Sequence, residues 1–150
     1  MRLIKMTQEE FEVIKGRMIK DYAADKVKVG HWQEEDAIDL AKETVDNILR
    51  DGVDTEHHYL LDLCKDIEKV GFVWFNVFNN TVYVNNYLIY DDYHGKDYEL
   101  KMVELLEDMA KELEVKKINL HSFGYNEKAI ALYQKMGYDI TDVYMSKKMV

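Results

Sequence analysis

The stretch from Thr81 to Leu113 constrains this chain more than any other. It runs TVYVNNYLIY, a β-rich segment, then DDYHGKDYE, a tight polar turn, then LKMVELLEDMAKEL, an amphipathic helix. A strand that delivers a short loop into a helix N-terminus builds an anion site. The first-turn amides lack intrahelical partners, and the helix dipole is positive at that end. A phosphate-bearing ligand is therefore expected near His94 to Glu99. Asp97 and Glu99 oppose it, because they place two carboxylates where the phosphate would lie.

With 150 residues the chain reads as one domain, 1–150, large enough to bury a core without disulfides or metal. Its apolar runs fall short of the ~20 residues a membrane span needs. MRLIKMTQEE carries no apolar signal region, so neither membrane nor secretion is expected. The single Cys64 excludes an internal disulfide and suits a reducing, cytoplasmic location. A net charge of −9 argues against nucleic acid or anionic membrane as partner and suits a cationic one.

Hydrophobic periodicity orders the remaining elements. Arg2 to Met6 reads as a strand. Thr7 and Glu10 form a capping box for a helix carrying Phe11, Ile14, Met18 and Tyr22, expected to end near Ala24. A second helix carries Ala37, Leu40, Ala41, Thr44, Val45 and Ile48, with an acidic outer face read as solvated. His58–Cys64, Lys69–Phe78 and Val82–Tyr90 form a meander, with Asn79-Asn80 as a two-residue hairpin turn. The central helix spans about Tyr98 to Leu113. Lys117–His121 returns parallel to Val82–Tyr90 through a right-handed crossover. A last helix opens at Asn126 or Glu127 and ends at Gly137, followed by an expected closing hairpin of Tyr138–Ile140 and Val143–Lys148. This is an α/β (α+β) pattern with a mixed, mostly antiparallel sheet of six or seven strands and four helices.

The run NEKAIALYQKMGY, residues 126 to 138, resembles the C-terminal helix of the GNAT superfamily of N-acetyltransferases, N-x-x-A-x-x-L-Y-x-K-x-G-[FY]. Asn126, Ala129, Leu132, Tyr133, Lys135, Gly137 and Tyr138 fall on that pattern, and the likeness extends back through the meander and central helix. The resemblance implies transfer of an acetyl group from acetyl-CoA to a primary amine, small-molecule or peptide-borne, by direct attack and without metal. It implies that the pantetheine arm lies where Val82–Tyr90 and Lys117–His121 splay apart. Backbone amides near Ile89 and Tyr90 would hold the thioester carbonyl. Tyr133 matches the residue that protonates the departing thiolate, and Asn126 and Ala129 would meet the cofactor. The resemblance leaves room for a homodimer.

The superfamily's pyrophosphate loop, [QR]-x-x-G-x-[GA], falls on His94, Gly95, Lys96, Asp97, Tyr98 and Glu99. Histidine replaces the arginine, and acids replace both motif glycines. A carboxylate ~5 Å from a phosphate costs ~3 kcal/mol at an effective dielectric of about 20. Alternatively, the Asp97 side chain caps the helix in the phosphate's place. The rival readings are a non-catalytic binding or regulatory module and an enzyme with a smaller or less charged acyl donor. No general base is evident: Asn85 and Asn86 occupy the strand where a carboxylate often stands, and their presence marks a bulge, a splayed edge or a polar pocket. Tyr22, Trp32, Asn85 and Asn86 are the candidate amine-pocket residues. His57, His58 and His121 are spaced too poorly for a metal and read as structural or solvated, and Cys64 as a buried inert thiol.

Overall fold

The computed structural model describes residues 1–150. Five strands lie in the order β1-β2-β3-β4-β5: β1 Arg2–Lys5, β2 His58–Lys65, β3 Glu68–Phe78, β4 Thr81–Ile89 and β5 Lys117–Leu120. The first four are antiparallel neighbours, and β5 runs parallel to β4. Asn79 and Asn80 both adopt positive φ, as a tight turn matched to strand twist requires. Gly71 is obligatory in β3, because a Cβ there would lie 2.2 Å from the Leu88 carbonyl oxygen.

Helices α1 (Gln8–Lys28) and α2 (Glu34–Ile48) cover one face of the sheet. Phe11, Met18, Val45 and Leu49 pack there on Leu60, Phe72 and Trp74. On the other face α3 (Tyr98–Glu112) buries Met102, Leu106 and Ala110 against Leu61, Leu63, Val73, Phe75, Val82 and Ile89. The Thr7–Glu10 capping box forms in both directions. Helix α1 runs one turn past Ala24, because Lys26 and Lys28 complement its C-terminal dipole until Gly30 turns at φ 79°. On α2 the buried line is Ala37, Ala41 and Val45, and Leu40 and Ile48 are exposed. No helix is long and apolar enough to cross a membrane.

The sheet has five strands rather than six or seven, because the expected closing hairpin is absent. Tyr138 to Val150 forms no strand, and Ile140, Val143, Tyr144, Met145 and Met149 are all exposed. Asp139 and Asp142 interrupt the apolar residues there, and both are poor strand formers. The segment has no buried face to hold a register, so β5 is the sheet edge.

Candidate active site

Strands β4 and β5 pair only from Thr81–Lys117 to Val84–Leu120. At that point β4 carries a bulge: Phe75 faces Val84 and Trp74 faces Asn86, so Asn85 is the extra residue. A bulge bends its strand and increases local twist, which opens a V between the upper half of β4 and the end of β5. Asn85 donates from Nδ2 to Asn76 Oδ1 at 2.9 Å across to β3. The two asparagines thus mark the bulge that starts the splay.

Ladder geometry decides which strand-end amide faces the V. Tyr90 N–H donates to Val70 O at 2.9 Å and is already engaged with β3, contrary to its expected role as a carbonyl donor. Hydrogen-bonding direction alternates along an antiparallel strand. Ile89 therefore turns its N–H away from β3, toward the gap. The phenol of Tyr90 packs on the opposite face beside Phe72, and burial raises it to about 12.

The loop that follows leaves its backbone open. His94 donates from Nε2 to the Ile89 carbonyl at 2.7 Å, which ties the loop back to the strand end. Gly95 turns at φ 77° and Asp97 at φ 60°. From Gly95 to Leu100 no backbone amide is hydrogen-bonded within the protein; the first engaged one is Lys101 N–H, donating to Asp97 O at 3.1 Å. The Asp97 side chain makes no cap, so the alternative in which it replaces the phosphate does not hold. It is exposed, and its backbone is left-handed, a region aspartate tolerates better than most residues. Aspartate therefore keeps the conformation that glycine would supply. Lys65 donates to Tyr98 Oη at 3.2 Å, and Lys96 lies 5.7 Å from the Tyr93 ring centre, so each lysine is held on a tyrosine of the loop region.

Tyr133 sits on α4 (Glu127–Lys135), whose C-terminus is a complete Schellman motif. Gly137 N–H donates to Gln134 O at 3.1 Å and Tyr138 N–H to Tyr133 O at 3.0 Å, with Gly137 at φ 97°. The apolar contact that accompanies such a cap is made by the Tyr138 and Tyr133 rings, 6.1 Å apart. The Gly137-Tyr138 pair therefore fastens Tyr133. The Tyr133 hydroxyl is hydrogen-bonded to that of Tyr87 on β4, and burial holds its pKa far above the ordinary phenol value. Asn126 occupies the N-cap position of α4 without a side-chain cap bond, so its amide is uncommitted beside the half-buried Ala129.

A cavity of about 1260 Å³ opens beside Tyr133. Its walls are the end of α1, the β5–α4 loop, α4 and the C-terminal segment, and they include His121, Phe123, Tyr125 and Tyr144. None of the expected amine-pocket residues lines it. Tyr22 and Trp32 pack edge to face at 5.4 Å, and with Ala23, Ala37 and Ala41 they clamp α1 to α2. The sequence analysis reads His121 as structural or solvated and does not single out Tyr87; the structure sets His121 in the lining of the cavity beside Tyr133 and joins the Tyr87 hydroxyl to that of Tyr133.

The chain matches the family model described as "Acetyltransferase (GNAT) family" over residues 17–138. This chain belongs to the GNAT acetyltransferase family. Within it, the chain is 35% identical over 154 residues to YycN of Bacillus subtilis, covering 98% of this chain and 97% of YycN. It is 30% identical over 149 residues to YdgE of the same organism, covering 96% and 95%. Both are described as uncharacterized N-acetyltransferases. The crystal structure of YycN superposes with a TM-score of 0.95 at 33% identity, covering 99% and 98% of the two chains. The PaiA N-acetyltransferase of Thermoplasma acidophilum, solved with coenzyme A, shares the fold at a TM-score of 0.71 and 16% identity, over 95% and 92%. The GNAT assignment matches the fold read from the C-terminal helix motif, apart from the strand count.

Proposed function

We propose that this GNAT protein transfers an acetyl group from acetyl-CoA to a primary amine by direct attack. The observation that carries the reading is the row of unengaged amides from Gly95 to Leu100 at the N-terminus of α3, beside the opened β4–β5 edge. Backbone donors at a helix N-terminus fit a pyrophosphate, and the exposed Asp97 side chain is free to stay in water. In this reading the Ile89 N–H would stabilise the negative charge that develops on the thioester oxygen, and Asn126 and Ala129 would meet the cofactor from α4. The Tyr133 hydroxyl stays protonated well into the alkaline range, which suits a general acid that gives its proton to the leaving sulfur. YycN and YdgE being described as N-acetyltransferases supports an amine acceptor, and PaiA having been solved with coenzyme A supports the donor. The single, buried and unpaired Cys64 supports a reducing, cytoplasmic location.

Calorimetric titration with acetyl-CoA tests this. Micromolar affinity is the expected result. No heat at millimolar ligand overturns the enzymatic reading and favours a binding module built on the GNAT fold.

A further inference from the structure

The structure assigns a general base that the sequence reading left vacant: we propose that His121, at the apex of the β4–β5 V, deprotonates the acceptor ammonium. This deepens the acetyltransferase reading and rests on it. His121 is the first residue after the last paired position of β5, Leu120, so it stands where the two strands separate. Part of the side chain reaches solvent and part is shielded, and it lines the same cavity as Tyr133. Across the apex β4 offers Asn85 and Asn86, whose amides take no proton at neutral pH.

The groups around the imidazole are Asp25 and Lys26 at the end of α1 and His31 in the turn that follows. Lys28, Tyr125, Asp139, Asp142 and Tyr144 complete the titratable lining, with Tyr133 and Tyr138 from the α4 side. Asp25 is engaged by the Tyr125 hydroxyl, and Lys28 lies over the Tyr125 ring at 3.7 Å. The His31 and Tyr144 rings meet edge to face at 4.9 Å. The Phe123 ring meets the His121 imidazole at 4.8 Å, edge to face, and fixes one side of it. Partial burial, then Lys26, hold the imidazole below its ordinary value of 6.5, and Asp25 opposes them. The lowered value favours the neutral imidazole, the form that accepts a proton.

The proton balance closes on residues of this cavity. His121 takes one proton from the ammonium and releases it to solvent. The freed nitrogen lone pair attacks the thioester carbonyl carbon, and the carbon–sulfur bond breaks as Tyr133 protonates the sulfur. The second nitrogen proton, shed as the amide forms, returns to the Tyr133 phenolate. Products are the N-acetyl amide, the thiol and one proton in solvent.

The test compares two classes of nucleophile in wild type and His121→Gln. The ammonium probes are spermidine, tryptamine and a tripeptide with a free N-terminus. The other probe is hydroxylamine, which is already unprotonated at neutral pH. Loss of base catalysis should lower kcat/KM for the best ammonium probe by about a hundredfold or more, and for hydroxylamine by less than about tenfold. The acid limb of the wild-type profile should lie below pH 6.5 and vanish in the variant. Equal losses for both nucleophiles, with circular dichroism and acetyl-CoA affinity unchanged, overturn the assignment of His121 alone. If the variant fails to fold, His121→Asn read in the same comparison decides it. Wild type that binds no acetyl-CoA overturns the acetyltransferase reading, and this assignment with it.

Discussion

The two sides of the β4–β5 opening are built by different means. On the α3 side the proposed binding belongs to the backbone: consecutive amides, positive φ at Gly95 and Asp97, and a loop pinned by His94 to the Ile89 carbonyl. On the α4 side it belongs to side chains that arrive from four separate segments around Tyr133 and His121. A backbone site depends on conformation, so it admits any residue that takes the required φ. A side-chain site depends on identity and on how distant segments meet. The contrast explains why aspartate can stand where the family uses glycine without closing the loop.

Changing side chains on the α4 side should give the larger effects. Tyr133→Phe should lower kcat by about a hundredfold or more while acetyl-CoA affinity, read by calorimetry, stays within threefold or so. Undiminished turnover would remove Tyr133 from the chemistry. On the α3 side the ranking should follow φ rather than charge alone. Asp97→Val, a β-branched residue forced to φ 60°, should weaken acetyl-CoA binding by roughly tenfold or more through strain of about 1–3 kcal/mol. Asp97→Asn keeps the left-handed turn and removes a charge, so it should tighten binding by a few-fold. The double variant Asp97→Gly with Glu99→Gly should tighten it as well. If valine and asparagine bind alike, the backbone account fails.

Gly137→Ala probes the cap that fastens Tyr133. An alanine held at φ 97° should cost about 1 kcal/mol or more in denaturant unfolding and lower kcat several-fold. Intact kcat would mean that the Tyr138 contact alone holds the ring. The smallest effect should come from pH. Burial raises the Tyr133 phenol, so the group stays protonated as pH climbs to its ordinary value near 10 and beyond. The kcat profile should therefore show no alkaline fall below about pH 10, and a fall near pH 9 would exclude Tyr133 as the acid.

Local chemistry was legible wherever one segment contains both halves of an interaction. Thr7 and Glu10 lie three apart and form their box; Asn79-Asn80 turns because both residues accept positive φ; Gly137 ends α4 because its cap is local. The motif from Asn126 to Tyr138 carried the fold through its resemblance to the GNAT C-terminal helix, and the cap and the ring it fixes are likewise neighbours in sequence. The closing hairpin was misread for a related reason. Ile140, Val143 and Tyr144 have strand propensity, but propensity does not supply the buried face that a strand needs, and Asp139 and Asp142 break the run. Asn85 and Asn86 were legible as a departure, and only the Trp74/Phe75 register shift told which departure it was.

The order of the sequence alone therefore determined the strand–loop–helix unit, where its helix begins and the tyrosine on the last helix, because each depends on residues within a turn or two of one another. The tertiary structure decided that Tyr90 spends its amide on Val70, that Asp97 leaves the α3 amides uncovered, and that His121 shares a cavity with Tyr133. The first and the last of those depend on which strand pairs with which and where the pairing stops. Such contacts join residues far apart in the chain, and spacing along one segment carries no record of them.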